Sequence, residues 1–201
     1  MNNFVIGVVV FVSVFININM ITDEDFHVKE SIMNPLGQVE EVELKVNTYY
    51  DVPLSYELQD YVREVCSEYD VDMEVILGIM NTESHFRHEA SSNNNIGGKR
   101  SLGICQLNEN YIDWFGELTG LEDLFDINNI YHNIEGGIAT YKFYRDYWER
   151  KGYEGEELRI RSLNTYNAGI VGYKKYINKY NTISRNYDKK VLDYKNNLSK
   201  V

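Results

Sequence analysis

The chain has 201 residues, 43% of them hydrophobic and 25% charged, which leaves room for one globular domain plus a stalk and excludes wholesale disorder. Twenty Lys and Arg against 31 Asp and Glu give a net charge of −11, which excludes a general nucleic-acid binder. The two cysteines, Cys66 and Cys105, exclude a disulfide framework and a cysteine-built zinc site; they can form one bridge or remain two buried thiols, and the second is expected.

Residues 4–16 carry no charge and one polar residue, Ser13, and the apolar stretch reaches Ile21 if Asn17 and Asn19 are tolerated. The shorter segment fits the apolar centre of a signal peptide; the longer one approaches the ~20 residues that span a membrane. Residues 1–22 therefore read as a signal peptide or signal anchor. The anchor is favoured, because Met1-Asn2-Asn3 lacks a cation and no A-x-A cleavage pattern follows. A buried strand is the lesser reading, since no hairpin partner is evident nearby. Residues 23–51 follow as an acidic polar stalk without a long helical pattern.

From residue 52 to 201 the pattern is helical. Pro53 and Ser55 open a helix carrying Leu58, Tyr61, Val62, Val65 and Cys66 at helical spacing. Asp70 or Asp72 caps the next, through Val75, Ile76, Ile79 and Met80. Residues 91–101 are loop-like, with room for a small hairpin near 91–106. Further helices are predicted around 108–115, over 133–150 and over 156–164. The basic tail, where residues 172–201 hold eight cations and two acids, reads as one or two helices around 173–179 and 184–198. No sustained period-2 alternation and no internal repeat is evident.

Ile76, Ile79, Met80 and Glu83 fall at i, i+3, i+4 and i+7, which puts Glu83 on an apolar stripe at a helix C-terminus. Burial and the negative helix end both disfavour its charged form, so it can keep a proton near neutral pH and protonate a leaving oxygen. Periodicity alone equally allows a surface glutamate. Three segments change that balance: Glu83-Ser84-His85-Phe86, then Gly103-Ile104-Cys105-Gln106-Leu107-Asn108, then Tyr166-Asn167-Ala168-Gly169.

In order and spacing these segments resemble the catalytic core of lytic transglycosylases related to goose-type lysozyme. Asp126-Ile127-Asn128-Asn129-Ile130 and Gly136-Gly137-Ile138 resemble a further stretch of that family. The resemblance spans roughly residues 52–195. It implies a mainly α, lysozyme-like α+β domain with minimal β content. It also implies cleavage of the β-1,4 bond between N-acetylmuramic acid and N-acetylglucosamine in peptidoglycan, with closure of a 1,6-anhydro ring. Glu83 would be the sole catalytic acid/base. Ser84 would fix the helix end, Gln106 and the backbone around Gly103 would line the glycan groove with Ser101, and Tyr166 would bring its hydroxyl near Glu83, with Asn167 orienting the same loop.

Three departures stand out. The interval from Glu83 to Gln106 exceeds that of the shortest family versions, Cys105 occupies a place often held by a sugar-contacting Met, and His88 stands where Pro is common. A retaining or inverting hydrolase needs a second carboxyl group within about 5–9.5 Å. C-type lysozymes carry an Asp two residues before a similar Gly; here that place is Ser101, and residues 90–108 contain no acid. The missing acid favours substrate assistance, although a distant one such as Glu135 stays open. The alternatives are a hydrolytic muramidase and an inactive glycan-binding module of the same fold.

His85, His88 and His132 match no zinc spacing, so no metal or cofactor is expected. Trp114 and Phe115 read as core before sugar platform. The implied partner is the peptidoglycan glycan strand, acted on outside the cytoplasm by a monomer held at the membrane or released by its N-terminal segment. The basic tail suits anionic wall polymer or lipid headgroups, and equally an ordinary solvated face.

Overall fold

Ser55 and Asp72 set where the first two helices begin. The Ser55 hydroxyl accepts the Leu58 N–H, and the Asp72 carboxylate accepts those of Glu74 and Val75, so each side chain satisfies donors that a helix start leaves open. In the computed structural model residues 48–93 and 99–201 are described in full, and N-terminal to them the backbone of three strands.

Two compact units are present, residues 1–49 with 200–201, and residues 50–199. In the first, β1 (Phe15–Asn17), β2 (Phe26–Met33) and β3 (Val39–Val46) form an antiparallel sheet in that order. The stretch read as stalk thus contains two eight-residue strands, with Phe26 opposite Val46 and Val28 opposite Leu44. Alternation is present after all, in Phe26, Val28 and Ile32 and in Val42, Leu44 and Val46; Glu30 interrupts the first run and masks it. Phe15–Asn17 also has the strand partner that the sequence reading did not find, pairing with residues 29–31. The rest of the expected signal or anchor over 1–22 lies outside the described residues. Among the described residues no helix is long and apolar enough to cross a membrane.

The second unit is mainly helical. Its elements are α1 (Tyr56–Glu68), α2 (Met73–Ser84), β4 (Ser91–Ser92), β5 (Ser101–Leu102), β6 (Leu107–Asn108), α3 (Ile112–Thr119), α4 (Ile130–Glu149), α5 (Gly155–Tyr180) and α6 (Asn186–Asn196). The short strands form an antiparallel sheet in the order β4-β5-β6, in the region where a hairpin was expected.

Helix α2 runs through the centre. Val75, Ile76, Leu77, Ile79 and Met80 are all buried, so the helix is covered on nearly every side. Helix α6 lies along it, and a Cβ at Gly78 would come within 2.7 Å of the Val191 carbonyl oxygen. Helix α4 starts at the Asn129 cap, four residues before the predicted start. Helix α5 joins two predicted helices, and its backbone breaks at Gly169 (φ 65°, ψ 163°). Cys66 and Cys105 are both buried free thiols.

Candidate active site

Helix α2 ends where His85 enters the left-handed region at φ 52°, and Glu83 therefore sits in its last turn. The Glu83 carboxyl is half-buried. The Tyr187 hydroxyl, at the start of α6, donates to its Oε1 at 2.7 Å. Burial pushes the Glu83 carboxyl up to about 7, while the hydrogen bond from Tyr187 pulls it down. Desolvation thus dominates, and the group is poised to hold or release a proton near neutrality.

Two clefts meet at Glu83 and Gln106. The larger, about 650 Å³, runs past Arg87, Glu89, Ser91 and Ser92. The smaller, about 170 Å³, runs past Ser101, Asn108, Trp114, Tyr144, Tyr166 and Asn167. Trp114 packs edge-on against Phe143 and also walls this cleft, so it combines the two roles that sequence left apart. Two buried polar atoms on the smaller cleft, Asn108 Nδ2 and Thr140 Oγ1, have no hydrogen-bond partner among the described residues. Such groups are costly unless something supplies the missing bonds.

The expected site residues divide by what they touch. Ser84 is buried and spends its hydroxyl on the carbonyls of Met80 and Ile104, at 3.1 and 2.8 Å, so it bolts the end of α2 to the β5–β6 turn. Ser101 is buried in β5 at the wall of the smaller cleft. Gly103 takes φ +79°, and a Cβ there would lie 2.2 Å from Asn133 Nδ2. Asn133 in turn receives the Cys105 N–H on Oδ1 and donates from Nδ2 to Leu102 and Ile127, which pins the turn onto α4. Gln106 occupies φ 51° and is held by its side chain: Nε2 donates to Ala90 and Gly103 carbonyls, and Oε1 accepts from Ser92 Oγ. Asn167 is exposed and accepts from Arg185 Nη1 at 3.3 Å.

Tyr166 shares the smaller cleft with Glu83, but its hydroxyl donates to the Cys105 carbonyl at 2.8 Å. Cys105 does not face the groove as its family place implies. It is buried, and the missing Cβ of Gly137 makes room for its sulfur, which would otherwise lie 2.5 Å away. Glu135 accepts from the Tyr61 hydroxyl and lines neither cleft. His132 accepts the Asp126 N–H and stacks on Phe125, which gives it a structural task. Among the described residues no cluster of His, Cys, Asp and Glu could hold a metal ion.

Tyr187 was missed by sequence reasoning. Tyr187, Val191 and Tyr194 stand at i, i+4 and i+7, a stripe that marks a buried face within the basic tail. Nothing local to that stripe points to position 83.

Residues 60–189 match the Transglycosylase SLT domain family, and the chain belongs to it. The 70 kDa soluble lytic transglycosylase of Escherichia coli shares the fold, at a TM-score of 0.54 and 18% sequence identity. That match covers 71% of this chain and 24% of the other, so the present chain spans about a quarter of that protein's length. No curated protein matches the sequence.

Proposed function

We propose that the chain is a peptidoglycan lytic transglycosylase with Glu83 as its single general acid/base. The observation that carries the reading is the half-buried Glu83 carboxyl, pushed up to about 7 where two clefts meet.

The proton on Glu83 passes to the oxygen bridging N-acetylmuramic acid and N-acetylglucosamine as the glycosidic C–O bond breaks. The acetamido oxygen of the muramyl residue bonds to the electron-poor C1, so no protein nucleophile is needed. Glu83, now ionised, takes the proton from the 6-hydroxyl of the same sugar. That oxygen displaces the acetamido oxygen at C1 and closes the 1,6-anhydro ring. One proton leaves Glu83 and one returns, and no water is consumed.

Around this centre Tyr187 aims the carboxyl and Ser84 fixes the helix that carries it. Tyr166 holds the Cys105 carbonyl and with it the turn that presents Gln106. Gln106, Ser101, the Gly103 backbone and Asn167 bind the glycan. Peptidoglycan lies outside the cytoplasm, and residues 1–22 are the signal peptide or anchor that takes the domain there.

Glu89, exposed on the larger cleft, is the other carboxylate among the described lining residues and supports hydrolysis by a muramidase as the second reading. Mass spectrometry of the products separates the two, because an anhydro end is lighter than a reducing end by one water. Anhydro-muropeptides from the wild type, lost in Glu83→Gln and kept in Glu89→Gln, are expected. Unchanged turnover in Glu83→Gln would reject the proposal.

A further inference from the structure

A cavity of about 200 Å³ opens at the other end of α2, eleven residues from Glu83 and roughly 16 Å away along the helix axis. It shares no lining residue with the clefts at Glu83. Its walls bring together Asp72, Tyr141, Arg145, Gly155 and Arg159.

Most charges there are already matched. The Asp72 carboxylate caps α2 and accepts from Lys195. Arg145 donates to the carbonyl and carboxylate of Asp70. Arg159 is different: it is half-buried, and among the described residues no hydrogen bond or ion pair reaches its guanidinium. Tyr141 is 4% exposed, and among the described residues its hydroxyl also has no hydrogen-bond partner. Burial pushes that hydroxyl up to about 12, while Arg145 and Arg159 draw it down and Asp72 adds to the rise, so all three act on the same oxygen. Glu154 gives α5 no side-chain cap, which leaves the N–H groups of the first turn open at Gly155.

We propose that this cavity is a binding site for the carboxylate end of a small ligand, held by Arg159, the Tyr141 hydroxyl and the N-terminus of α5. One unmatched positive charge suits one negative charge. A phosphate dianion would bring a second negative charge against Asp72. The planar guanidinium fits a carboxylate through paired donors, and Val75 and Leu158 offer a small apolar wall beside it.

The test is an NMR titration of the full-length chain with N-acetylalanine, its C-terminal amide and inorganic phosphate. N-acetylalanine is expected to shift the Gly155 amide and the Arg159 Nε–H saturably. The C-terminal amide leaves both unmoved, and phosphate binds at least tenfold more weakly. Arg159→Gln weakens binding tenfold or more, and Tyr141→Phe does so several-fold. Glu83→Gln titrates like the wild type, so a failure here is separate from a failure of the proposed glycan chemistry. Equal shifts from the amide, tighter binding of phosphate, or wild-type affinity in a folded Arg159→Gln chain would each overturn the assignment.

Discussion

Tyr187 and Glu83 stand 104 residues apart in the chain and 2.7 Å apart in space, with the phenol donating to the carboxylate. A bond to the ionised form favours that form, so it holds the Glu83 carboxyl below where burial alone would put it. Tyr187→Phe removes that restraint. Its turnover is expected to fall, and the alkaline limb of its pH–rate profile to move upward from about 7. A downward or absent shift would show that the phenol does not tune the acid.

The same carboxyl makes stability depend on pH. Its folded value of about 7 lies above its ordinary 4.5, so the folded state holds the proton more tightly. The resulting stabilisation is complete below pH 4.5 and is lost as the pH rises through 7. The interval corresponds to about 3 kcal/mol. Glu83→Gln, which carries no charge at either pH, should therefore match the wild type near pH 4 and unfold at higher urea near pH 8. Parallel urea curves at the two values check this.

Asn108 Nδ2 and Thr140 Oγ1 face the smaller cleft with their hydrogen-bonding capacity unspent. If glycan supplies the missing bonds, Asn108→Leu and Thr140→Val should raise KM about tenfold or less with a smaller effect on kcat. Thr140→Val should also be at least as stable as the wild type, because an orphaned polar atom has been removed, whereas Asn108→Leu also gives up the bond that Asn108 Oδ1 accepts from the Asn110 N–H and should be less stable than Thr140→Val. Steady-state kinetics and thermal melts on the same samples report both.

Gly103 gives a prediction about the fold. A methyl group there meets Asn133 head-on, and the left-handed backbone penalises any side chain. Gly103→Ala should cost more than about 2 kcal/mol and abolish turnover, because the turn that it shapes also presents Gln106. Ser84→Ala should cost about 1–3 kcal/mol, since the Ile104 carbonyl loses its partner. Urea unfolding ranks the two.

What could be read in advance follows the range of the interaction. Ser55 and Asp72 announce their helices because a cap acts on residues two or three away. Glu83 was legible because its neighbours on the stripe lie within two turns. The strands β2 and β3 were not, because Glu30 breaks the alternation of one and the acids of the other read as solvated chain. The direction of Cys105 was lost for another reason. A tight turn with Gln106 at φ 51° sends successive side chains to opposite sides, and the companion glycine that accepts the sulfur is Gly137, on a different helix. The partner of Glu83 could not be found from sequence at all, since hydrogen bonds between distant segments leave no local periodicity.

The phenol that steadies the acid arrives on α6, the last helix described, which packs along α2. A chain still being synthesised, with 186–196 not yet emerged, has its carboxyl but lacks the group that aims it. The proposed acid is therefore complete only once residues 186–196 have packed along α2, so the segment made last finishes a site whose carboxyl is laid down a hundred residues earlier.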